Sequence, residues 1–195
     1  MAFSLTEYIV GKYYQSKFWL IQKNLPITPE DGKKYWSDID ILALKNNEVH
    51  LVSCKDYLPD NSKQTQDKII KNLYDAEKYV KKQYFKDYEN IKIVKIYVYK
   101  VTGKMTLSRL KDENIKTIHI NKIICNYIKE LDQRLEKLNI GKNKPLKGKR
   151  YSIIGEHTDL DKFIIHLLDN NFLNDNLINS LLAEDKKGNL SEIQR

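Results

Sequence analysis

Cysteine is nearly missing from this chain. Cys54 and Cys125 are the only two, and neither has a Cys or His neighbour at metal-finger spacing, so a disulfide framework and a zinc finger are both excluded. No apolar run approaches the roughly 20 residues that a membrane-spanning helix needs. The opening stretch MAFSLTEYIVGKYY lacks a basic start and a small-residue cleavage site, so it does not read as a signal peptide. A soluble, intracellular (cytoplasmic) protein with no membrane partner is expected. Glycine and proline are scarce, at 7 and 4 residues, and no glycine-rich phosphate loop is present, since Gly103-Lys104 has no upstream glycines. His50, His119, His157 and His166 share no ligand spacing and read as structural histidines. Arginine is rare too: Arg109, Arg134, Arg150 and Arg195 are four of 34 basic residues.

What the chain does have is lysine. Its 195 residues carry 34 Lys+Arg against 26 Asp+Glu, a net charge of +8, with 41% hydrophobic residues, enough for a core and too many for wholesale disorder. The abundance of Lys, Asn, Ile and Tyr has the look of AT-rich coding drift, but a basic balance still favours anionic partners such as nucleic acid. The charge is unevenly spread. Residues 1–150 hold 30 basic and 18 acidic side chains, whereas residues 151–195 hold 4 basic and 8 acidic ones. Between the two lies GKNKPLKGKR, five cations with two Gly, one Pro and no anion, which reads as a flexible basic linker. The expected organisation is a main domain over 1–140, a linker over 141–150 and an appendage over 151–195.

Periodicity fills in the elements. Residues 4–23 have a helical pattern with Leu5, Ile9, Tyr13 and Tyr8 on one side, a Ser4 cap and Pro26 as the stop. SDIDILAL (37–44) and EVHLVSCK (48–55), joined by Lys45-Asn46-Asn47, read as a β-hairpin. A helix should run from the Asp60–Ser62 break to about Tyr84, with a strand at 91–101, a short helix at about 105–113, a strand at 115–120 and a helix at 121–138. Strands alternating with helices predict parallel pairing and an α/β fold with a mixed sheet flanked by helices. Two apolar stripes, Leu160 to Leu168 and Leu173 to Leu182, predict a C-terminal helical hairpin that buries its apolar face on the main domain or on a partner, the latter giving a homodimer.

The chemistry concentrates on the hairpin. Asp38 and Asp40 lie two apart on one strand, Ser53 and Lys55 two apart on the next, so each pair is expected to share a face, and the hairpin brings them together. Carboxylates, a hydroxyl and an ammonium at one end of a strand pair suit phosphodiester hydrolysis, which uses a hard cation on oxygen ligands and a cation near the phosphate. Cys54, between Ser53 and Lys55, is expected on the opposite face as a buried small hydrophobe. Ser4-Leu5-Thr6-Glu7 forms a capping-box pattern, so Glu7 has a structural role available beside any metal role.

W-S-D-I-D-I-L-A-L, with twelve residues between Asp40 and the Ser53 of L-V-S-C-K-D, resembles the PD-(D/E)xK, restriction-endonuclease-like, nuclease superfamily. The resemblance covers roughly residues 3–100 and implies that family's αβ-hairpin-αβ core. It implies Asp40 as the metal-binding aspartate, Lys55 as the motif lysine and Glu7 as the helix glutamate. It further implies Mg²⁺ or Mn²⁺ as cofactor, DNA as substrate and a place in restriction or mobile-element defence. Ser53 stands where the family pattern has Glu or Asp. A neutral hydroxyl is a poorer metal ligand than a carboxylate, and Asp38 is the neighbour able to supply the missing charge. The alternative is a catalytically inactive nucleic-acid-binding or partner-recruiting module on the same fold.

Overall fold

A computed structural model describes residues 4–27, 37–60, 63–86, 88, 90–137, 164, 176, 179 and 180. The chain forms two compact units, residues 1–123 and 124–195. The expected linker at 141–150 lies outside the described residues, as does the C-terminal helical hairpin apart from four isolated positions. Among the described residues no helix is long and apolar enough to cross a membrane.

The elements of the first unit are α1 (Leu5–Ser16), β1 (Leu20–Ile27), β2 (Ser37–Lys45), β3 (Glu48–Leu58), α2 (Lys63–Tyr84), β4 (Lys92–Thr102), α3 (Lys104–Asp112) and β5 (Lys116–His119). Helix α4 (Ile120–Lys137) begins in this unit and runs into the second, where Tyr127, Ile128 and Leu131 of the predicted stripe are buried. One mixed sheet has the order β1-β2-β3-β4-β5, with β1–β2 and β2–β3 antiparallel and β3–β4 and β4–β5 parallel. The α/β class, the parallel pairing and the α, β-hairpin, α, β order are as the sequence predicts.

β1 was not expected. The predicted helix over 4–23 stops at Ser16, and the chain reverses into a strand that contains Pro26. The stop is a Schellman-type turn: Phe18 N–H donates to the Gln15 carbonyl at 2.9 Å and Trp19 N–H to the Tyr14 carbonyl at 3.1 Å. Phe18 takes the left-handed position, with φ 60°, that glycine usually fills, so no residue type announced the break. Pro26 is tolerated because β1 is an edge strand, where a missing N–H need not break a ladder. The buried face of α1 also differs from the expected one. It is Thr6, Val10 and Tyr14, while Leu5 is exposed.

The hairpin turn is Asn46-Asn47, with Asn46 at φ 52°, a conformation asparagine accepts at lower cost than most residues. Its register pairs Lys45 with Glu48 and, moving away from the turn, reaches Ile41 opposite Val52. On one sheet face Leu25, Ile39, Val49, Leu51 and Tyr97 form a core cluster with Ile69, Leu73, Ala76 and Val80 of α2. A buried polar cluster ties the α2 start to α3. Gln66 donates to the Asp60 carbonyl at 3.0 Å and to Thr106 Oγ1 at 2.7 Å, and Asp60 accepts the Thr106 N–H at 2.8 Å.

Candidate active site

The β2–β3 ladder ends at Ile41–Val52, and the candidate site begins there. Extending the same register sets Asp40 across from Ser53, as the sequence predicts for the hairpin. Asp40 Oδ2 accepts the Cys54 backbone N–H at 2.6 Å and the Ser53 hydroxyl at 3.3 Å. A side-chain carboxylate thus occupies an N–H that the neighbouring strand no longer pairs with its backbone. Its other oxygen, Oδ1, accepts no hydrogen bond from a described residue.

Asp38 and Asp40 do not share an environment. Asp38 is exposed and Asp40 is buried. Strand alternation is interrupted here: Ile39, Asp40 and Ile41 are all buried, and Ile39 joins the α2-side cluster whereas Ile41 does not. The two-residue spacing that predicts a common face holds only for an undistorted strand. Asn24 stands across β1 at this point, with φ 50°, between the Lys23–Ile41 and Leu25–Ile39 pairs.

Glu7 reaches the same region from α1. Ser4 Oγ accepts the Glu7 N–H at 3.3 Å, which is half of the capping box. Among the described residues the reciprocal bond from the Ser4 N–H to the Glu7 carboxylate is not made, so the cap does not consume that carboxylate. The first turn of α1 is anchored instead by Thr6, whose hydroxyl donates to Asp56 of β3. Asp56 follows Lys55 in the chain, and sequence reasoning gave it no part. Its only signal was its place at the end of L-V-S-C-K-D.

The electrostatics show that these groups share one field. The Glu7 carboxyl is held above the ordinary glutamate range by burial, then by Asp40, with Lys55 opposing and with Asp38 and Asp56 adding to the rise. Asp40 is likewise raised, by burial first. The Cys54 N–H, Lys55 and Ser53 oppose that rise, and Asp38 adds to it. Two carboxyls that resist ionisation through burial, Glu7 also through the charge of Asp40 and Asp40 through that of Asp38, form a locus where a cation would relieve both. Cys54 is buried, as predicted, and burial followed by the charge of Asp40 pushes its thiol well above the ordinary range.

The donor set suits a hard cation by its chemistry: the unbonded Oδ1 of Asp40 and the Glu7 carboxylate are oxygen donors with excess negative charge. Among the described residues, no three His, Cys, Asp or Glu side chains come together closely enough to hold a metal by themselves. A hydroxyl, main-chain carbonyls and water would have to supply the rest of a shell, as Mg²⁺ commonly permits.

No protein-family model matches this chain, and no curated protein matches it. Among solved structures it is similar to a protein of unknown function, AF1548, at 12% identity and TM-score 0.44, covering 84% of this chain and 95% of that one. It is similar to the small subunit of a heterodimeric restriction endonuclease at 15% identity and TM-score 0.40, covering 93% and 89%. It is also similar to Can2 from Sulfobacillus thermosulfidooxidans, solved with cyclic tetra-adenylate, at 16% identity and TM-score 0.39. That match covers 68% of this chain and 34% of Can2. At such identities and scores the functional reading rests on the site's own residues.

Proposed function

We propose that this chain is a metal-dependent endonuclease that hydrolyses phosphodiester bonds in DNA. The observation that carries the reading is Asp40. This buried carboxylate has one oxygen bound by Cys54 N–H and Ser53 and the other without a bond from any described residue, and it shares its field with Glu7 and Lys55. Asp40 and Glu7 would hold Mg²⁺ or Mn²⁺, with Ser53 as a weak ligand and Asp38 contributing charge from nearby. When bound, the ion lowers the pKa of its water and neutralises charge on the phosphoryl oxygens.

The chain's own groups have separate tasks. The Lys55 ammonium orients the attacking water and faces charge that develops on the phosphate. Ser53 holds Asp40 in place by its hydrogen bond. Water attacks phosphorus in line, and the bond to the leaving oxygen breaks on the opposite side. Lysines of the basic segment 1–150 would hold the DNA backbone, giving salt-sensitive binding. A role in restriction or mobile-element defence rests on the sequence resemblance.

The test is nicking of supercoiled plasmid with Mg²⁺, Mn²⁺ or EDTA, by wild type and by Asp40→Asn. Nicking that needs the metal and disappears in the variant is the expected result. Nicking that survives in Asp40→Asn rules out this site. A second reading, a nucleic-acid-binding module without catalysis, is favoured by the neutral Ser53 and by the lack of a three-ligand cluster among the described residues. It predicts salt-sensitive DNA binding with no cleavage under any metal.

A further inference from the structure

A cavity of about 640 Å³ lies in the first unit beside the Asn46-Asn47 turn, at the opposite end of the β2–β3 hairpin from Asp40. The C-terminal end of α1, the hairpin turn and the first residues of β4 and β5 line it. None of the residues placed in the nuclease site belongs to it.

One wall is aromatic and fixed. The Trp19 and His50 rings lie 4.4 Å apart, tilted by 35°, and Tyr14 meets both edge-on at 5.3 and 5.6 Å. Hydrogen bonds lock the imidazole between them: Tyr14 Oη stands 2.7 Å from Nδ1 and a Glu48 oxygen 3.3 Å from Nε2. Burial holds His50 below the ordinary histidine range, so the ring is neutral at pH 7. The network then assigns the proton to Nε2, donating to Glu48, and leaves Nδ1 to accept the tyrosine hydroxyl. A neutral ring locked on both nitrogens is a preorganised stacking surface rather than a titrating switch.

The other walls are cationic. Lys17 follows α1, and Lys45, Lys92 and Lys116 come from β2, β4 and β5; among the described lining residues they meet one carboxylate, Glu48, which Lys92 already engages at 2.8 Å. Lys45 donates to the Lys17 carbonyl at 2.7 Å and is thereby held at the rim. The volume falls in the range of small-molecule pockets. A flat ring suits the aromatic wall, and an oxyanion suits the lysines. A bare anion would leave the aromatic wall unused, and a neutral aromatic would bring no charge to Lys116, which pairs with no carboxylate among the described residues.

We propose that this cavity is a second binding site, one for a nucleoside phosphate, with the base against Trp19 and His50 and the phosphate among Lys45, Lys92 and Lys116. The ligand is either a free nucleotide or the terminal nucleotide of a strand, since both present a base and a phosphate together.

The full chain, titrated calorimetrically in EDTA, tests this without engaging the metal-dependent site. The probes are ATP, AMP, adenosine, inorganic phosphate, and a short oligonucleotide with and without a 5′-phosphate. AMP or ATP should bind saturably, with adenosine and inorganic phosphate each weaker by about tenfold or more. Trp19→Leu and Lys116→Ala should each weaken nucleotide binding by about tenfold. Lys116 is exposed, so that variant folds normally even where the Trp19 variant does not. Binding of the 5′-phosphorylated oligonucleotide tighter than that of both AMP and the unphosphorylated oligonucleotide identifies a strand end, and tighter binding of AMP than of the phosphorylated strand identifies a free nucleotide. The proposal is overturned if nucleotides show no saturable binding in the millimolar range. Equal affinity for ATP and inorganic phosphate, unchanged by Trp19→Leu, also overturns it. Because nicking is not among these readouts, failure here and failure of the nuclease reading remain distinguishable.

Discussion

Asp40 holds the Cys54 backbone N–H at 2.6 Å, at the point where β2 and β3 stop pairing through their main chains. The carboxylate therefore has two tasks, closing the frayed end of a hairpin and presenting a free oxygen at its edge. These tasks can be separated by substitution.

Asp40→Asn keeps an acceptor for Cys54 N–H, so it should fold and still lose metal-dependent nicking. Asp40→Ala leaves that buried N–H unpaired, at a cost of about 1–3 kcal/mol. Denaturant melts of both variants, alongside plasmid nicking, check this. Equal stability of the two would show that the Cys54 bond contributes nothing.

The pH dependence of that difference has a definite sign. The folded-state pKa of Asp40 is raised, chiefly by burial, so its stabilising contribution is fully present below the unfolded value and is lost as pH rises through the folded one. Ionised Asp40 thus burdens the fold at neutral pH. The stability of Asp40→Asn relative to wild type should be greatest near pH 7 and shrink as pH falls towards about 4. Mg²⁺ or Mn²⁺ should reduce that neutral-pH advantage by stabilising the wild type alone. Melts across pH, with and without metal, supply the measurement, and an advantage that grows on acidification contradicts it.

Ser53→Glu restores a carboxylate beside Asp40. Two neighbouring anions are tolerated when a cation lies between them, so in a metal-binding site the variant should nick at lower Mg²⁺ and melt higher once Mg²⁺ is added. If metal addition moves neither its melting temperature nor that of wild type, and neither protein nicks, the non-catalytic reading is the one left. Lys55→Ala should lower turnover strongly with little change in Mn²⁺ affinity, since an ammonium has no lone pair to coordinate. A large loss of bound Mn²⁺ would mean that the lysine's role is different.

Gly103→Ala tests the lock between α2 and α3. A Cβ at Gly103 would run into the Asp60 carboxyl, the group that caps the Thr106 N–H at 2.8 Å. Displacing Asp60 should cost about 1–3 kcal/mol, seen as a lower denaturation midpoint with nicking otherwise retained. An unchanged midpoint would show that Asp60 has room to move.

The hairpin half of the site was legible in the sequence because its chemistry is local. Two apolar runs, a turn rich in asparagine and a twelve-residue spacing suffice to set Asp40 beside Ser53. Glu7 was legible through resemblance and a cap pattern, but Thr6 and Asp56, which anchor its helix turn, were not, since their contact joins residues 50 apart. β1 was hidden because Phe18 and Asn24 take left-handed conformations without a glycine to mark them. The difference in exposure between Asp38 and Asp40 was hidden for a related reason: alternation breaks between Ile39 and Ile41, at the residue whose side chain replaces a backbone partner. The cavity beside the turn was invisible for lack of any motif. Its lysines stand at 17, 45, 92 and 116, and only the order of the sheet gathers them.

The irregular first strand has a consequence for how the protein behaves in a crowd. An edge strand offers a row of unpaired amides on which another chain can add itself, the first step of sheet-to-sheet aggregation. On β1 that row is spoiled by charge at Lys23, by the left-handed bend at Asn24 and by the missing donor at Pro26. β5, at the other end of the sheet, is only four residues long. The residues that made β1 hard to recognise as a strand also make it a poor template for one.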